Sequence, residues 1–115
     1  MSRDDASYLL DMLLAARDAV DFAAGLTFPQ FEQSRLHQNA ILKSIEIIGE
    51  AAARISAETK LAHSDIPWPA IIGMRNRLVH AYFELSLQRV WDTVQNDLPR
   101  LIELIEPLVP PEVGR

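Results

Sequence analysis

Isoleucine and alanine recur at steps of four and three through the middle of this chain: Ile41, Ile45, Ile48, Ala52 and Ile55. That period belongs to one face of an α-helix and not to a strand, whose faces alternate every second residue. The spacing is that of a coiled-coil seam, suited to a partner helix in a bundle. It predicts a helix from about Ser34 to Ser56. Leu42 and Ile47 widen the apolar surface, so more than one neighbour is expected.

The same period runs through most of the chain. Leu9, Leu13, Ala16, Val20 and Ala23 predict a first helix over about 4–24, stopped by Gly25. Thr27 to Gln30 reads as a turn, with Thr27 as an N-cap and Pro29 at an early helical position. Residues 57–67 read as a polar linker. Two prolines around Trp68 suit a helix entry, and a third helix is expected over about 68–81. Ser86 caps a fourth, whose seam is Leu87, Trp91, Val94, Leu98, Leu101, Ile105 and Leu108. Pro99 falls inside that pattern and should kink the helix or split it. Pro107, Pro110 and Pro111 end it. The expectation is an all-α antiparallel bundle of four helices, or five if Pro99 splits the last.

At 115 residues the chain is expected to be one domain over 1–115, long enough to bury roughly two-thirds of its unfolded surface. Its apolar surface is broad for this size and favours a homodimer. The absence of cysteine excludes disulfides and thiolate metal sites and fits a cytoplasmic protein. No apolar run has the length of a membrane span. The start (Met1, Ser2, Arg3, Asp4, Asp5) lacks the plan of a signal peptide. A net charge of −5 argues against a generic nucleic-acid coat, which is usually basic. A focused basic site on an acidic body remains open.

The stretch from Gly73 to Tyr82 is where the chemistry concentrates. Arg75 and Arg77 offer guanidinium forks suited to phosphate, and His80 can give or take a proton near neutral pH. On a regular helix Arg75 and His80 would lie about 140° apart and not on one face. A loosened last turn or a second chain would bring them together. Asn76 projects about 40° from His80 and could bond the imidazole or a substrate. Each has an ordinary alternative: His80 as a complement to a helix dipole, Arg77 reaching solvent or an acidic neighbour, Tyr82 as packing, and Gly73 as a site of close helix approach. Glu46, Glu50 and Arg54 recur at four-residue steps and read as a solvated face. His37, near Arg35 and Asn39, also reads as surface. The three histidines have no metal-ligand spacing, so no metal or cofactor is expected.

The run from Ile66 to Phe83 resembles the signature region of HepT-like proteins of the HEPN superfamily. The signature is Arg, four residues, His, one residue, Tyr, and it is complete here as Arg75, His80 and Tyr82. The stretch from Ile45 to Ala52 resembles the family's second-helix motif, and Val90 to Pro99 its fourth-helix motif. Together the three ordered blocks extend the resemblance over nearly the whole chain.

The resemblance implies a HEPN-type homodimer with metal-independent ribonuclease activity, the toxin of a type VII-like toxin–antitoxin pair. Arg75 would hold the scissile phosphate and His80 would act as general acid or base. Asn76 would orient the substrate or the imidazole. Two copies of the motif would face each other across the dimer. Tyr82 would be the acceptor of AMP from a partner nucleotidyltransferase antitoxin, silencing the site by charge and bulk. The implied partners are RNA, the antitoxin and a second copy of the chain. The competing class is a non-catalytic helical dimer that docks a nucleotidyltransferase or binds nucleotide, which the acidic charge fits equally well.

Overall fold

The computed structural model describes residues 4–78 and 85–111, and each helix or helical turn within them follows from a local signal. Helix α1 spans Asp5–Ala23, with the Asp4 carboxylate accepting from the Ser7 amide as N-cap. The chain then turns through Gly25, whose φ of 81° is a conformation that favours glycine. Helix α2, Phe28–Glu32, opens with a full capping box: Thr27 accepts from Gln30 N–H, and the Gln30 side chain accepts from Thr27 N–H. Helix α3, Arg35–Arg54, is capped by Ser34.

The core seams are those expected of an all-α bundle. Ile41, Ile45, Ile48, Ala52 and Ile55 of the central seam are all buried, as are Leu9, Leu13, Ala16 and Ala23 of the first helix. Helix α1 packs along α3 and also against the C-terminal helix. Small side chains on α1 (Ala15, Ala16, Ala19) and on α3 (Ala51, Ala52) are buried, so the two backbones can approach closely. Ile47 differs: among the described residues it stays exposed. No helix of the described residues is long and apolar enough to cross a membrane.

Besides the expected turn at Thr27–Gln30, which is the capped start of helix α2, three elements depart from the sequence expectation. Residues 57–62 are not linker but helix α4, Ala57–Ala62, capped by Ser56. None of its residues is buried, so it lacks the apolar period that would have announced it; a polar cluster holds it instead. The Asp5 carboxylate accepts from Ser56 N–H at 3.0 Å, Ser56 Oγ at 2.6 Å and Thr59 Oγ1. These bonds, led by that from the Ser56 hydroxyl, hold the Asp5 carboxyl below its ordinary value. A depressed carboxyl stabilises the fold above its unfolded pKa of about 3.9, and that contribution fades as pH falls through the folded value. Acid denaturation followed by circular dichroism should therefore show Asp5→Asn less stable than wild type near neutrality, with the two converging in acid.

The expected third helix is broken. Helix α5 spans Trp68–Ile72 and α6 spans Met74–Leu78, with Gly73 between them at φ −89° and ψ 5°. Arg77 splints the break, donating from Nη1 to the Ala70 carbonyl at 2.7 Å. Arg77 is exposed to solvent, as the sequence suggests, and also meets a backbone oxygen freed by the break. The part of the expected helix beyond Leu78 lies outside the described residues.

Pro99 neither stops the last helix nor splits it with a loop. Helix α7, Leu87–Asp92, starts at the Ser86 cap and widens into a π-helical turn over Thr93–Asp97 before α8, Leu98–Ile105. A proline ring clashes with the carbonyl four residues back. The wide turn relieves this clash, and Leu98 N–H bonds the Thr93 carbonyl five residues back. The seam survives: Val94, Leu98, Leu101 and Ile105 are buried. A short 3-10 turn, Glu106–Leu108, closes the helix, and Arg17 of α1 bonds Glu106 there.

Candidate functional site

Helix α6 is built so that its faces do different work. Met74 and Leu78, four residues apart, are buried against the core. That leaves Arg75 and Asn76 on the side towards α3, and both line a cavity of about 500 Å³ with Glu46, Gly49, Glu50, Ala53 and Ile72. Arg77 lies about 200° round the helix from Arg75 and faces other cavities. The two arginines of the segment are thus separated, one in this cleft and one on the far side of α6.

Arg75 is anchored. Its Nε donates to Glu46 Oε1 at 2.8 Å, with the Arg75 side chain 46% exposed and that of Glu46 26%. An ion pair this open contributes at most about 1 kcal/mol to stability. Its consequence is orientation. A contact through Nε fixes the plane of the guanidinium and leaves the terminal nitrogens available for a second, bidentate acceptor such as phosphate.

Spacing alone puts Glu46 on a solvated face with Glu50 and Arg54. It instead meets Arg75, 29 residues away in sequence. The available signal was its place inside the second-helix block from Ile45 to Ala52, one turn before Gly49.

Gly49 is what lets that encounter happen. A Cβ there would sit 3.2 Å from the Ile72 carbonyl oxygen and 3.6 Å from that of Ile71. The α3 and α5 backbones therefore approach more closely than most side chains would tolerate. Alanine would gain about 1 kcal/mol of helix propensity and lose a similar amount by pushing the α5 carboxyl end away. Gly49→Ala should hence melt within a few degrees of wild type. The Glu46–Arg75 contact should nonetheless loosen, read as lost protection of the Arg75 Nε proton in NMR exchange.

His80 and Tyr82 lie outside the described residues, so the structure brings together Arg75 and Asn76 of the expected set. The other two histidines sit apart from the cleft. His37 Nδ1 is 2.6 Å from Ser34 Oγ at the start of α3, and His63 ends α4 with its carbonyl accepting from Trp68 Nε1 at 3.1 Å.

The fold and the cleft define a class: a small helical bundle whose oriented, half-open guanidinium shares a cleft with an amide, two carboxylates and an apolar edge at Ile72, and such a guanidinium has the donors an oxyanion needs. Comparison with known proteins narrows this class. The ribonuclease HepT-like family profile matches residues 12–108, and the chain belongs to that family, within the HEPN superfamily. A "Probable ribonuclease HepT" of Thermococcus cleftensis is 36% identical over 88% of this chain and 92% of its own length. A "Putative RNase" of Methanocaldococcus jannaschii is 31% identical over 93% of this chain and 88% of its own. A second from that organism is 30% identical over 90% and 95%. No solved structure matches the chain.

Proposed function

We propose that this chain is a metal-independent endoribonuclease that works as a homodimer. The observation that carries the reading is the pairing of Arg75 with Glu46 beside Asn76 in one open cleft, in a chain whose family and relatives bear ribonuclease names. Arg75 takes the scissile phosphate and stabilises the charge that develops on it. His80 moves the proton at the 2′-hydroxyl or the leaving oxygen. Asn76 orients substrate or imidazole. The RNA supplies its own nucleophile, the 2′-hydroxyl, so the chemistry has no step that calls for a metal. A second copy of the chain brings its own motif across the cleft.

In the same reading the protein is the toxin of a type VII-like pair, and a nucleotidyltransferase antitoxin silences it by adding AMP to Tyr82. The added phosphate would bring negative charge to the motif that carries Arg75.

The test is RNA cleavage in chelator by wild type and His80→Ala, each checked for dimer formation and for unmodified Tyr82 by mass spectrometry. Cleavage by wild type alone is the expected result. Cleavage retained in His80→Ala would remove His80 from the mechanism. Cleavage by neither would favour a nucleotidyltransferase-docking dimer. For the modification, ATP and the cognate partner should add mass to wild type and none to Tyr82→Phe.

A further inference from the structure

The π-helical turn belongs to the fourth-helix block from Val90 to Pro99, and the reaction above makes no use of it. Such turns often mark functional sites. This one places Asn96 and Asp97 at the junction of two adjoining cavities on the far side of α6 from Arg75. The first, of about 390 Å³, has an apolar lining that includes Ile71, Met74, Leu101 and Leu104. The second, of about 330 Å³, is more polar, with Arg89, Asp92 and Thr93 beside Leu78. Arg77, Asn96 and Asp97 line both, so the two form one trench with a polar waist. Arg100 stands at the apolar end.

The guanidiniums of this trench are held by the fold. Arg77 Nη1 donates to the Ala70 carbonyl at 2.7 Å, and Arg89 Nη1 donates to the Arg77 carbonyl at 3.1 Å. Each keeps further donors. Arg100 forms an exposed pair with Glu103 at 3.5 Å, a contact of little energy.

We propose that this trench is a binding subsite for one ribonucleotide. The base lies on the apolar floor with its edge against Asn96, whose amide both donates and accepts. A guanidinium can also stack on a base. The phosphate lies in the polar chamber against Arg77 and Arg89. Asp97, at the waist, accepts from the ribose hydroxyls; Asp92, whose Oδ1 already accepts from Gln88 Nε2 at 2.8 Å, offsets part of the positive charge in the polar chamber, which is why the fit is to a ribonucleotide and not to a simple anion. Volume agrees: an apolar slot of a few hundred Å³ with few polar groups is typical of small-ligand sites. The proposal rests on the ribonuclease reading only in taking a strand of RNA as one source of that nucleotide; a free nucleotide carries the same chemistry.

Methionine methyl groups report on it directly. Of the three methionines, Met74 lines the slot and Met12 is fully buried elsewhere. Full-length His80→Ala protein, labelled with ¹³C at methionine methyls, is titrated with AMP and separately with an adenosine hexanucleotide. A saturable shift of Met74 with Met12 unmoved is expected. A shift with the hexanucleotide alone would assign the subsite to RNA, and with AMP alone to a free nucleotide. Ala70→Trp, at an exposed position on the slot's wall, should abolish the shift and weaken binding at least tenfold. Met74 unmoved by both ligands, or a shift that survives in Ala70→Trp, would overturn the proposal. So would a shift seen only with a nucleotidyltransferase partner, which would make the trench a protein-docking groove. Wild-type RNA cleavage, measured alongside, separates the two readings: its absence counts against the ribonuclease and leaves the Met74 result standing.

Discussion

Arg75→Ala is expected to lower RNA cleavage about 10²–10³-fold, the usual loss when one preorganised charge donor is removed from a transition state. The thermal transition should hardly move, because the side chain is 46% exposed and its ion pair with Glu46 is open to solvent. That separation of activity from stability is the diagnostic. Arg75→Lys keeps the charge and loses the planar fork, so it should recover only part of the rate. Glu46→Gln keeps an acceptor near Nε but removes its charge. Its loss should be smaller, about tenfold or ~1.4 kcal/mol of barrier, and confined to the rate if Glu46 only orients Arg75. An Arg75→Ala dimer that cuts RNA at the wild-type rate would take Arg75 out of the site.

Phe31→Ala should produce the largest loss of stability. Phe31 is fully buried and packs between the Phe28 ring at 6.4 Å and the Trp91 ring at 5.4 Å, while Phe28 meets Trp91 edge-on at 5.9 Å. Removing a buried ring costs about 3–5 kcal/mol through lost transfer and the cavity left behind. A domain of this size has only about 5–15 kcal/mol to lose. Urea unfolding should show the midpoint falling sharply, and Phe31→Leu should restore part of it. The cluster fastens α2 to α7, and α7 carries Arg89, which bonds the Arg77 carbonyl on α6. Damage at Phe31 should therefore reach the motif helix, and activity should fall at temperatures where the variant is still folded. An unchanged urea midpoint would mean the aromatic cluster does not bear on stability.

The bundle was readable because its seams are regular. Ile41 to Ile55 repeats at helical steps, and Thr27 and Ser86 are caps whose chemistry is local. What escaped was whatever lacked a local apolar period. Helix α4 buries nothing and is held by Asp5, some 51 residues earlier. The Gly73 break is stabilised by an arginine reaching back seven residues to a carbonyl. Pro99 signalled a kink or a split; the helix instead continues through a widened turn, with Val94 and Leu98 buried in the core.

The amino-acid sequence by itself determined the all-α class, the main seams and the residue types of the motif, because period, caps and spacing act over a few residues. Only the tertiary structure decided which of those residues meet. Arg75 finds Glu46 across 29 residues, and Arg77 is turned to the opposite side to hold a broken helix. The first depends on two backbones closing over Gly49, a distance set by packing between helices and not by the preferences of either one; the second follows from the break at Gly73.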